Sequence, residues 1–268
     1  DRSREVLMHL ISAGEYDLAV QELATYVRVG LARGAGGELL SQIEKLRSLG
    51  VHHPTIAKVA AMVAVRHGRM ADAVELGQDL DAPERAYLRF RVGEVAAARR
   101  QLTSLCTSED VNLRARAAAT LAEIELDSGE LARAESLLGR AFEDRSHLSR
   151  EGRACLHIAF AQVEEYKGDY CAARAALARA AGSADDGELA TRIEVLRVRN
   201  LVEEERFSEA SKLRAQVESA VAEVDCVPLR DELARSEALV ESRVGSAELA
   251  ADNLRLTISS ARQRGDEI

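Results

Sequence analysis

Apolar and small residues recur at helical spacing on both sides of Gly129. After this glycine, Leu131, Ala134 and Leu138 follow one another at intervals of three and four residues, so they lie on one face of an α-helix. Residues 113–126 carry a second helical stripe before it. Because glycine readily adopts positive φ, Gly129 can end the first helix and turn the chain back. The stretch predicts a helical hairpin with Ala134 near the closest approach of the two axes.

The same arrangement, with an apolar residue two positions after the turn and an alanine five positions after it, occurs seven times. Six copies begin at a glycine: Gly14, Gly68, Gly93, Gly129, Gly168 and Gly245. The seventh has Glu205 in the glycine position, followed by Phe207 and Ala210. The later turns are about forty residues apart, which is typical of a repeated helical hairpin.

The N-terminal part of the chain departs from this spacing. The long interval after Gly14 has room for an extra helix, which the apolar positions of residues 37–50 predict. The glycine-rich stretch 30–37, GLARGAGG, is interpreted as a flexible connector. It has neither the preceding strand nor the Lys-Ser/Thr ending of a phosphate-binding loop. The short interval between Gly68 and Gly93 predicts helices of only about three turns.

Prolines support this division into hairpins. Pro54, Pro83 and Pro228 each fall where the first helix of a hairpin is expected to begin, a position that tolerates the missing N–H. Asp81 and Glu84 have the spacing of a capping box. The sequence therefore predicts about fifteen helices and no strands. The predicted fold is all-α, a single superhelix of stacked hairpins over residues 1–268, with an irregular hairpin and extra helix in 1–50 and more regular repeats in 51–268.

The pattern G-x-Y-x-x-A-x-x-x-L-x-x-A at residues 168–180 resembles the turn and second helix of the tetratricopeptide repeat. The resemblance extends in degenerate form over nearly the whole chain, although Glu125 and Glu164 stand where that family prefers tyrosine. The repeats also exceed the usual length of about thirty-four residues. The resemblance implies a concave groove lined mainly by first helices.

Residues 12–76 carry a narrower resemblance. The order SAGEYDLAVQELATYV, a glycine-rich stretch, ELLSQIEKLRSLG and TIAKVAAMVAVRHGRMADAVEL is similar to the start of the helical sensor region of large LuxR-family ATP-dependent regulators. This resemblance implies that the chain is part of a larger bacterial signalling or transcription-regulatory ATPase. The ATPase and DNA-binding parts of such proteins are not in this sequence.

Composition narrows the classes of function. Hydrophobic residues make up 47% and charged residues 30% of the chain, and the net charge is −9 with a sequence pI near 5.3. Because nucleic-acid binders usually carry a basic surplus, direct nucleic-acid binding by this segment is not expected. The sequence contains neither a membrane-spanning apolar run nor a signal peptide, so a cytoplasmic location is predicted.

Chemistry-bearing residues do not form a recognisable catalytic or metal-binding motif. Cys106, Cys155, Cys171 and Cys226 have no paired spacing and are interpreted as reduced, buried thiols. The adjacent pair His52–His53 is assigned to an exposed turn. Glu164–Glu165 and the run 203–205 are interpreted as solvated helix ends. We therefore expect no metal, no cofactor and no catalysis.

Recognition of a ligand or partner is the function that the predicted fold favours. Mapped through the tetratricopeptide resemblance, the groove-facing positions are Arg116, Glu123, Gln162, Tyr166, Arg192, Arg199, Arg235 and Arg243. The arginines of the later repeats favour an acidic peptide or an anionic ligand. It remains open whether these residues form a site or are ordinary solvated helix positions. The Lys/Asn constellation with which some of these repeats hold chaperone C-termini is absent, since Tyr87 and Glu123 occupy two of the asparagine positions.

Two functions without catalysis follow from these features. The first is a sensor that captures a peptide, a protein or a small-molecule inducer and passes a change of curvature to a neighbouring domain. The second is a free-standing scaffold that holds protein partners together. An enzyme would need a buried polar cluster that the sequence does not reveal.

Overall fold

The computed structural model describes residues 2–32, 35–77, 82–184, 187–245 and 247–263. These residues form fifteen α-helices and one short 3-10 helix, with no strand among them, so the all-α prediction is confirmed. The first seven helices are α1 (Arg2–Ala13), α2 (Tyr16–Ala32), α3 (Gly36–Ser48), α4 (Pro54–Arg66), α5 (Met70–Leu76), α6 (Ala82–Arg91) and α7 (Val95–Leu105). The other eight are α8 (Val111–Asp127), α9 (Leu131–Glu143), α10 (Arg150–Tyr166), α11 (Tyr170–Ala181), α12 (Gly187–Glu203), α13 (Phe207–Val224), α14 (Val227–Val244) and α15 (Ala247–Gln263).

Helices that follow one another across the predicted turns pack in pairs. The seven pairs are α1–α2, α4–α5, α6–α7, α8–α9, α10–α11, α12–α13 and α14–α15. The extra helix α3 packs between α2 and α4. From α6 onward, the first helix of each pair also packs on the first helix of the next, through α8, α10 and α12 to α14. The superhelical course of the array stays a prediction.

The turns explain why the glycines recur. Gly14, Gly68, Gly93, Gly129 and Gly168 have φ between +70° and +84°, and Glu205 has φ +60°. At each of these turns the next N–H donates back into the preceding helix, as from Glu130 N to Glu125 O at 2.8 Å. This hydrogen bond satisfies a carbonyl that the end of the helix would otherwise leave unpaired. Gly245 departs from the pattern with φ −123°, so the last turn is built differently.

The alanine of each repeat lies at a helix–helix contact. Its exposure is 0% at Ala19, Ala73, Ala98, Ala134 and Ala173, 1% at Ala210 and 2% at Ala250. A small side chain is required there because the two helices of a pair approach each other closely. The position predicted for Ala134 is confirmed, and the same holds for the other six repeats.

The glycine-rich stretch 30–37 contains the break between two helices, but the connector is shorter than the sequence predicts. Helix α2 continues through Ala32 and α3 begins at Gly36, while residues 33–34 lie outside the described part. A Cβ at Gly30 would lie 3.1 Å from the Tyr26 ring, and one at Gly36 would lie 3.0 Å from Nε2 of His67. Gly30 therefore packs closely against a side chain of its own helix and Gly36 against His67, in spite of the low helix propensity of glycine.

Helix starts follow the prolines as predicted. Pro54 is the first residue of α4, and Pro83 and Pro228 are the second residues of α6 and α14. In the exposed turn before α4, Nδ1 of His53 accepts a hydrogen bond from the Thr55 N–H at 3.1 Å. The predicted capping-box residue Asp81 lies outside the described residues. The short helices expected between Gly68 and Gly93 are also present, since α5 has 7 residues and α6 has 10.

Arg66 joins parts of the chain that are far apart in sequence. This residue ends α4, and its side chain is 4% exposed. Its guanidinium donates to the Leu31 carbonyl of α2 and, through Nε, to the Val224 carbonyl of α13 at 3.3 Å. Its Nη1 also lies 2.5 Å from Oε2 of Glu188 on α12. The early helices are thereby tied to α12 and α13.

Candidate functional site

Side chains from α6, α8 and α12 influence one another electrostatically. Tyr87 lies on α6, Glu123 on α8 and Arg192 on α12. Glu123 and Arg192 each change the pKa of the other and of Tyr87, and Tyr87 changes the pKa of Arg192. Helix α10 packs against both α8 and α12 and separates them. The electrostatic influence therefore extends past α10 between side chains of the first helices. We call Tyr87, Arg91, Glu123, Asp127 and Arg192 the charged cluster.

Four of the cluster residues form two pairs, and the members of each pair lie one helical turn apart on the same helix. Tyr87 and Arg91 are four residues apart on α6, and Nη1 of Arg91 donates to the Tyr87 hydroxyl at 2.9 Å. The same guanidinium lies 5.8 Å from the centroid of the Tyr87 ring. Glu123 and Asp127 are likewise four residues apart on α8. Each helix thus presents one turn of polar side chains to the cluster.

Glu123 and Arg192 carry charges without a direct partner. Both residues are half-buried. Within the described part of the chain, neither makes a hydrogen bond, and neither has an oppositely charged atom within the 4.0 Å of an ion pair. Withdrawing a charge from water is costly unless it is paired. The Glu123 carboxylate and the Arg192 guanidinium therefore lack a charged partner among the described residues and remain accessible to water.

Burial dominates the acid–base behaviour of the cluster. It raises the pKa of the Glu123 carboxyl, a shift that Arg192 opposes and Asp127 reinforces. The pKa of Asp127 is also raised by burial, against the effect of Arg91. The pKa of Tyr87 is raised by burial and then by the Glu123 carboxylate. Such perturbed groups occur more often at functional sites than elsewhere, because binding and chemistry require charges that the fold alone does not satisfy.

Three of the arginines predicted to face the groove are committed to intramolecular ion pairs. Nη2 of Arg199 lies 2.6 Å from Oε2 of Glu165, and its Nη1 lies 3.3 Å from Oε1 of Glu232. Arg235 also pairs with Glu232, at 2.5 Å. Arg116 pairs with Glu84 of α6. Arg199 and Arg116 thereby link neighbouring first helices, whereas the pair of Arg235 lies within α14. All three arginines contribute less positive potential than their number indicates.

The other predicted positions lie apart from this network. Gln162 is half-buried on α10. Tyr166 is 56% exposed, and its hydroxyl lies 3.9 Å from the position that a Cβ would take at Gly129, so it stands over the preceding turn. Arg243 is exposed near the end of α14. Of the eight predicted residues, the structure places Glu123 and Arg192 in the charged cluster, with Arg199 close enough to influence Glu123.

Sequence reasoning missed three members of the cluster. Asp127 and Arg91 lie one helical turn after Glu123 and Tyr87, so the i, i+4 spacing could have identified them. The sequence analysis noted Tyr87 only because it occupies an asparagine position of the Lys/Asn constellation that holds chaperone C-termini. The sequence gives no sign that side chains of α6 and α12 influence each other, because this depends on how the whole array packs.

The interpretation of the acidic pair Glu164–Glu165 as a solvated helix end is wrong. Glu164 is 6% exposed and accepts a hydrogen bond from Nζ of Lys167 at 3.0 Å, while Glu165 binds Arg199. The equivalent Glu125 is 1% exposed, and both its oxygens accept from Arg99, at 2.9 and 3.1 Å. Ion pairs therefore occupy the positions where the tetratricopeptide family prefers tyrosine.

The cysteines are free thiols, but only Cys226 is buried. Cys106 and Cys155 are partly exposed, and Cys171 is exposed. The prediction of four buried thiols is therefore wrong. Cys171 lies off the buried stripe of α11, which consists of Ala173, Ala176, Leu177 and Ala180, because its position is out of phase with the helical period.

No model of a known protein family matches the chain, and no curated protein shows significant similarity to it. Among the residues described, no three His, Cys, Asp or Glu side chains are grouped as metal ligands. No helix in the same residues is both long and apolar enough to cross a bilayer. The function must therefore be argued from the geometry of the charged cluster.

Proposed function

We propose that the chain is a non-catalytic binding module that takes up a ligand on the face shared by its first helices. The observation that carries the proposal is the half-buried pair Glu123 and Arg192 on α8 and α12, which influence each other electrostatically and have no direct partners among the described residues. A ligand between them would supply the missing hydrogen bonds. The gain on binding is large because charge-assisted hydrogen bonds in a partly desolvated site are stronger than neutral ones.

The position of the pair also suits a sensor. Glu123 and Arg192 belong to first helices on either side of α10, so a bound ligand would draw α8 and α12 together. A ligand changes a conformational equilibrium only when it binds one state better, and a bridging ligand favours the state in which these helices are close. We propose that this change is transmitted to neighbouring domains of a bacterial signalling ATPase, as the LuxR-family resemblance implies.

A thermal-shift screen with small metabolites and short peptides tests the binding function. We expect at least one ligand to raise the Tm of the wild type but not of Glu123→Gln or Arg192→Gln. Glu218→Gln and Arg255→Gln are matched controls, since both residues are highly exposed and lie on α13 and α15. Ligands that stabilise all four variants as they stabilise the wild type would show that the cluster is not the binding site.

A protein–protein scaffold is the second candidate. Exposed large apolar side chains are frequent on the last hairpin: Leu239, Val244, Leu256 and Ile258. Exposed apolar surface of this kind favours contact with another protein. A scaffold would bind a partner that Leu256→Glu releases, and its small-angle scattering profile would not change when a cluster ligand is added. A sensor would show a ligand-dependent profile that Glu123→Gln abolishes.

A further inference from the structure

Arg66 closes the array of hairpins on itself. Neighbouring helices pack on one another from α4 through to α12, and the guanidinium of Arg66, at the end of α4, contacts both α12 and α13. The helices from α4 to α13 therefore form a closed circuit. One side chain makes the closing contact, whereas each of the other contacts around the circuit is between packed helices.

The partners of Arg66 at this contact are polar groups at the ends of three other helices. Leu31 and Val224 lie at the C-terminal ends of α2 and α13, where carbonyls lack a donor within their own helix. Arg66 donates to both carbonyls and pairs with Glu188 in the first turn of α12. A cation at the C-terminal end of a helix also interacts favourably with the helix dipole. One buried guanidinium thus joins three helix ends to the end of α4.

Apolar packing does not extend across the closing contact. Among the described residues, one buried cluster belongs to α1–α4 and another to α12–α14, and no cluster contains residues from both sides. Helices α2 and α4 do not pack on α12 or α13 as successive helices do. Separation of the two sides would therefore expose little apolar surface, and water would hydrate the polar groups that part. Each side would keep its own core.

We propose that Arg66 is a latch between a closed and an open form of the array, a conformational switch that the fold contains. In the closed form, Arg66 holds the ends of α2, α4 and α13 against the start of α12. In the open form these helix ends separate and every hairpin stays folded. A ligand or partner that binds one form better shifts the equilibrium between them. The latch goes beyond the proposed binding function, because it does not depend on where a ligand binds.

Small-angle scattering of Arg66→Met tests the latch. The closed form of this variant would bury two carbonyls without their donor, whereas the open form exposes them to water, so the open form is favoured. We expect its radius of gyration to exceed that of the wild type by about 10% or more, because the same hairpins then follow a wider arc. Helix content by circular dichroism should be unchanged. A folded Arg66→Met with the radius of gyration of the wild type would overturn the proposal.

Arg114→Met is the matched control. Arg114 also donates to a backbone carbonyl, that of Ser108, and pairs with a carboxylate, Asp144, at 2.5 Å. These partners lie in the turns next to α8 and α9, so the contact does not join distant repeats. The radius of gyration of Arg114→Met should equal that of the wild type. Equal expansion of both variants would show a general loosening of the array and contradict the latch.

Glu188→Arg decides the question if Arg66→Met loses helix content. The new guanidinium would lie beside Arg66 at a position that is 43% exposed, where like-charge repulsion favours the open form and an arginine can be accommodated. Glu218→Arg is its control, since Glu218 is 64% exposed on α13. Expansion of Glu188→Arg alone, at unchanged helix content, would support the latch. No expansion, or expansion with loss of helix content, would overturn it.

Discussion

At the scale of single residues, the turns depend on a left-handed backbone. Five glycines and Glu205 adopt positive φ there, and a side chain in this region strains the backbone even where space is free. Gly168 shows this most clearly, since φ is +80° and a Cβ would meet nothing within 4 Å. Any cost of a side chain at Gly168 therefore comes from the backbone alone.

We expect Gly168→Ala to lower the free energy of unfolding by about 1–2 kcal/mol. Gly139 is the matched control, because a Cβ there also meets nothing within 4 Å but the residue lies inside α9 with no positive φ. Gly139→Ala should raise the free energy of unfolding by up to about 1 kcal/mol. Urea denaturation of both variants measures the two effects, and a shift of the same sign in both would contradict this account.

His157 predicts a dependence of stability on pH. Its Nδ1 is buried without a hydrogen-bond partner among the described residues, and its ring lies 5.3 Å from that of Phe142. Burial lowers the pKa of His157, with further lowering by Arg179 and Arg153. The unfolded chain therefore takes up the proton at a higher pH than the native protein does. The contribution of His157 to stability is complete above its ordinary pKa of 6.5 and declines as the pH falls from there towards its native pKa.

The difference in Tm between the wild type and His157→Gln isolates this effect. Between pH 7.5 and pH 5, we expect the Tm of the wild type to fall more steeply than that of the variant. The carboxylates of the chain titrate in both proteins, so their contribution cancels in the difference. Parallel curves over this range would show that His157 titrates alike in the folded and unfolded states.

The sequence predicts which residues lie on first helices but not which of them pair. Glu123, Arg192 and Arg199 were assigned to the groove through the tetratricopeptide resemblance, which gives a face for each position of a first helix. Arg199 nevertheless binds Glu165 and Glu232, which are 34 and 33 residues away in sequence. Such pairs depend on the stacking of α10, α12 and α14, and no local pattern encodes it.

At the scale of the helices, the buried alanines determine how closely the members of each pair approach. Ala134 is 0% exposed at the contact of α8 with α9. Ala132, on the same helix, is exposed. The two residues have the same helix propensity and differ only in the face on which they lie. Substitution at the two positions therefore separates packing from propensity.

Ala134→Leu should lower the free energy of unfolding by about 1–3 kcal/mol, because the larger side chain forces α8 and α9 apart. Ala132→Leu should change it by less than about 0.5 kcal/mol. Chemical denaturation followed by circular dichroism provides both values. Equal effects at the two positions would show that the repeat alanine is not required for close approach.

The boundaries of the helices could be predicted where local signals agree with the packing. Turn glycines and prolines located most ends correctly, because each meets a local backbone requirement. The connector in 30–37 is shorter than predicted, because Gly30 still belongs to α2 and Gly36 already belongs to α3. The contact of Gly36 with His67 appears only when α3 and α4 are assembled.

At the scale of the whole molecule, Arg66 couples distant repeats. In an array whose repeats touch only their neighbours, stability is approximately a sum of local terms. Here the guanidinium of Arg66 holds the Leu31 and Val224 carbonyls together with the Glu188 carboxylate. Loss of structure in the early helices should therefore destabilise α12 and α13.

Arg66→Met should lower the free energy of unfolding by about 3 kcal/mol, since it leaves two carbonyls without their donor. Glu188→Gln should cost less, about 1–2 kcal/mol, because the glutamine amide oxygen can still accept a hydrogen bond from the buried Arg66 and the two carbonyls keep their donor. Hydrogen exchange should show faster opening of α13 in Arg66→Met than in Glu188→Gln. Unchanged exchange in α13 would show that Arg66 does not couple the two regions.

The contact of Arg66 with α12 and α13 also limits how such a chain can evolve. Gain or loss of a whole hairpin is the simplest change in a repetitive gene product, and an open array tolerates it. Here an added hairpin between α5 and α12 would displace Glu188 and Val224 from Arg66. A change in the number of hairpins between α5 and α12 would therefore carry the free-energy cost of losing these contacts, whereas substitution on existing helices would not.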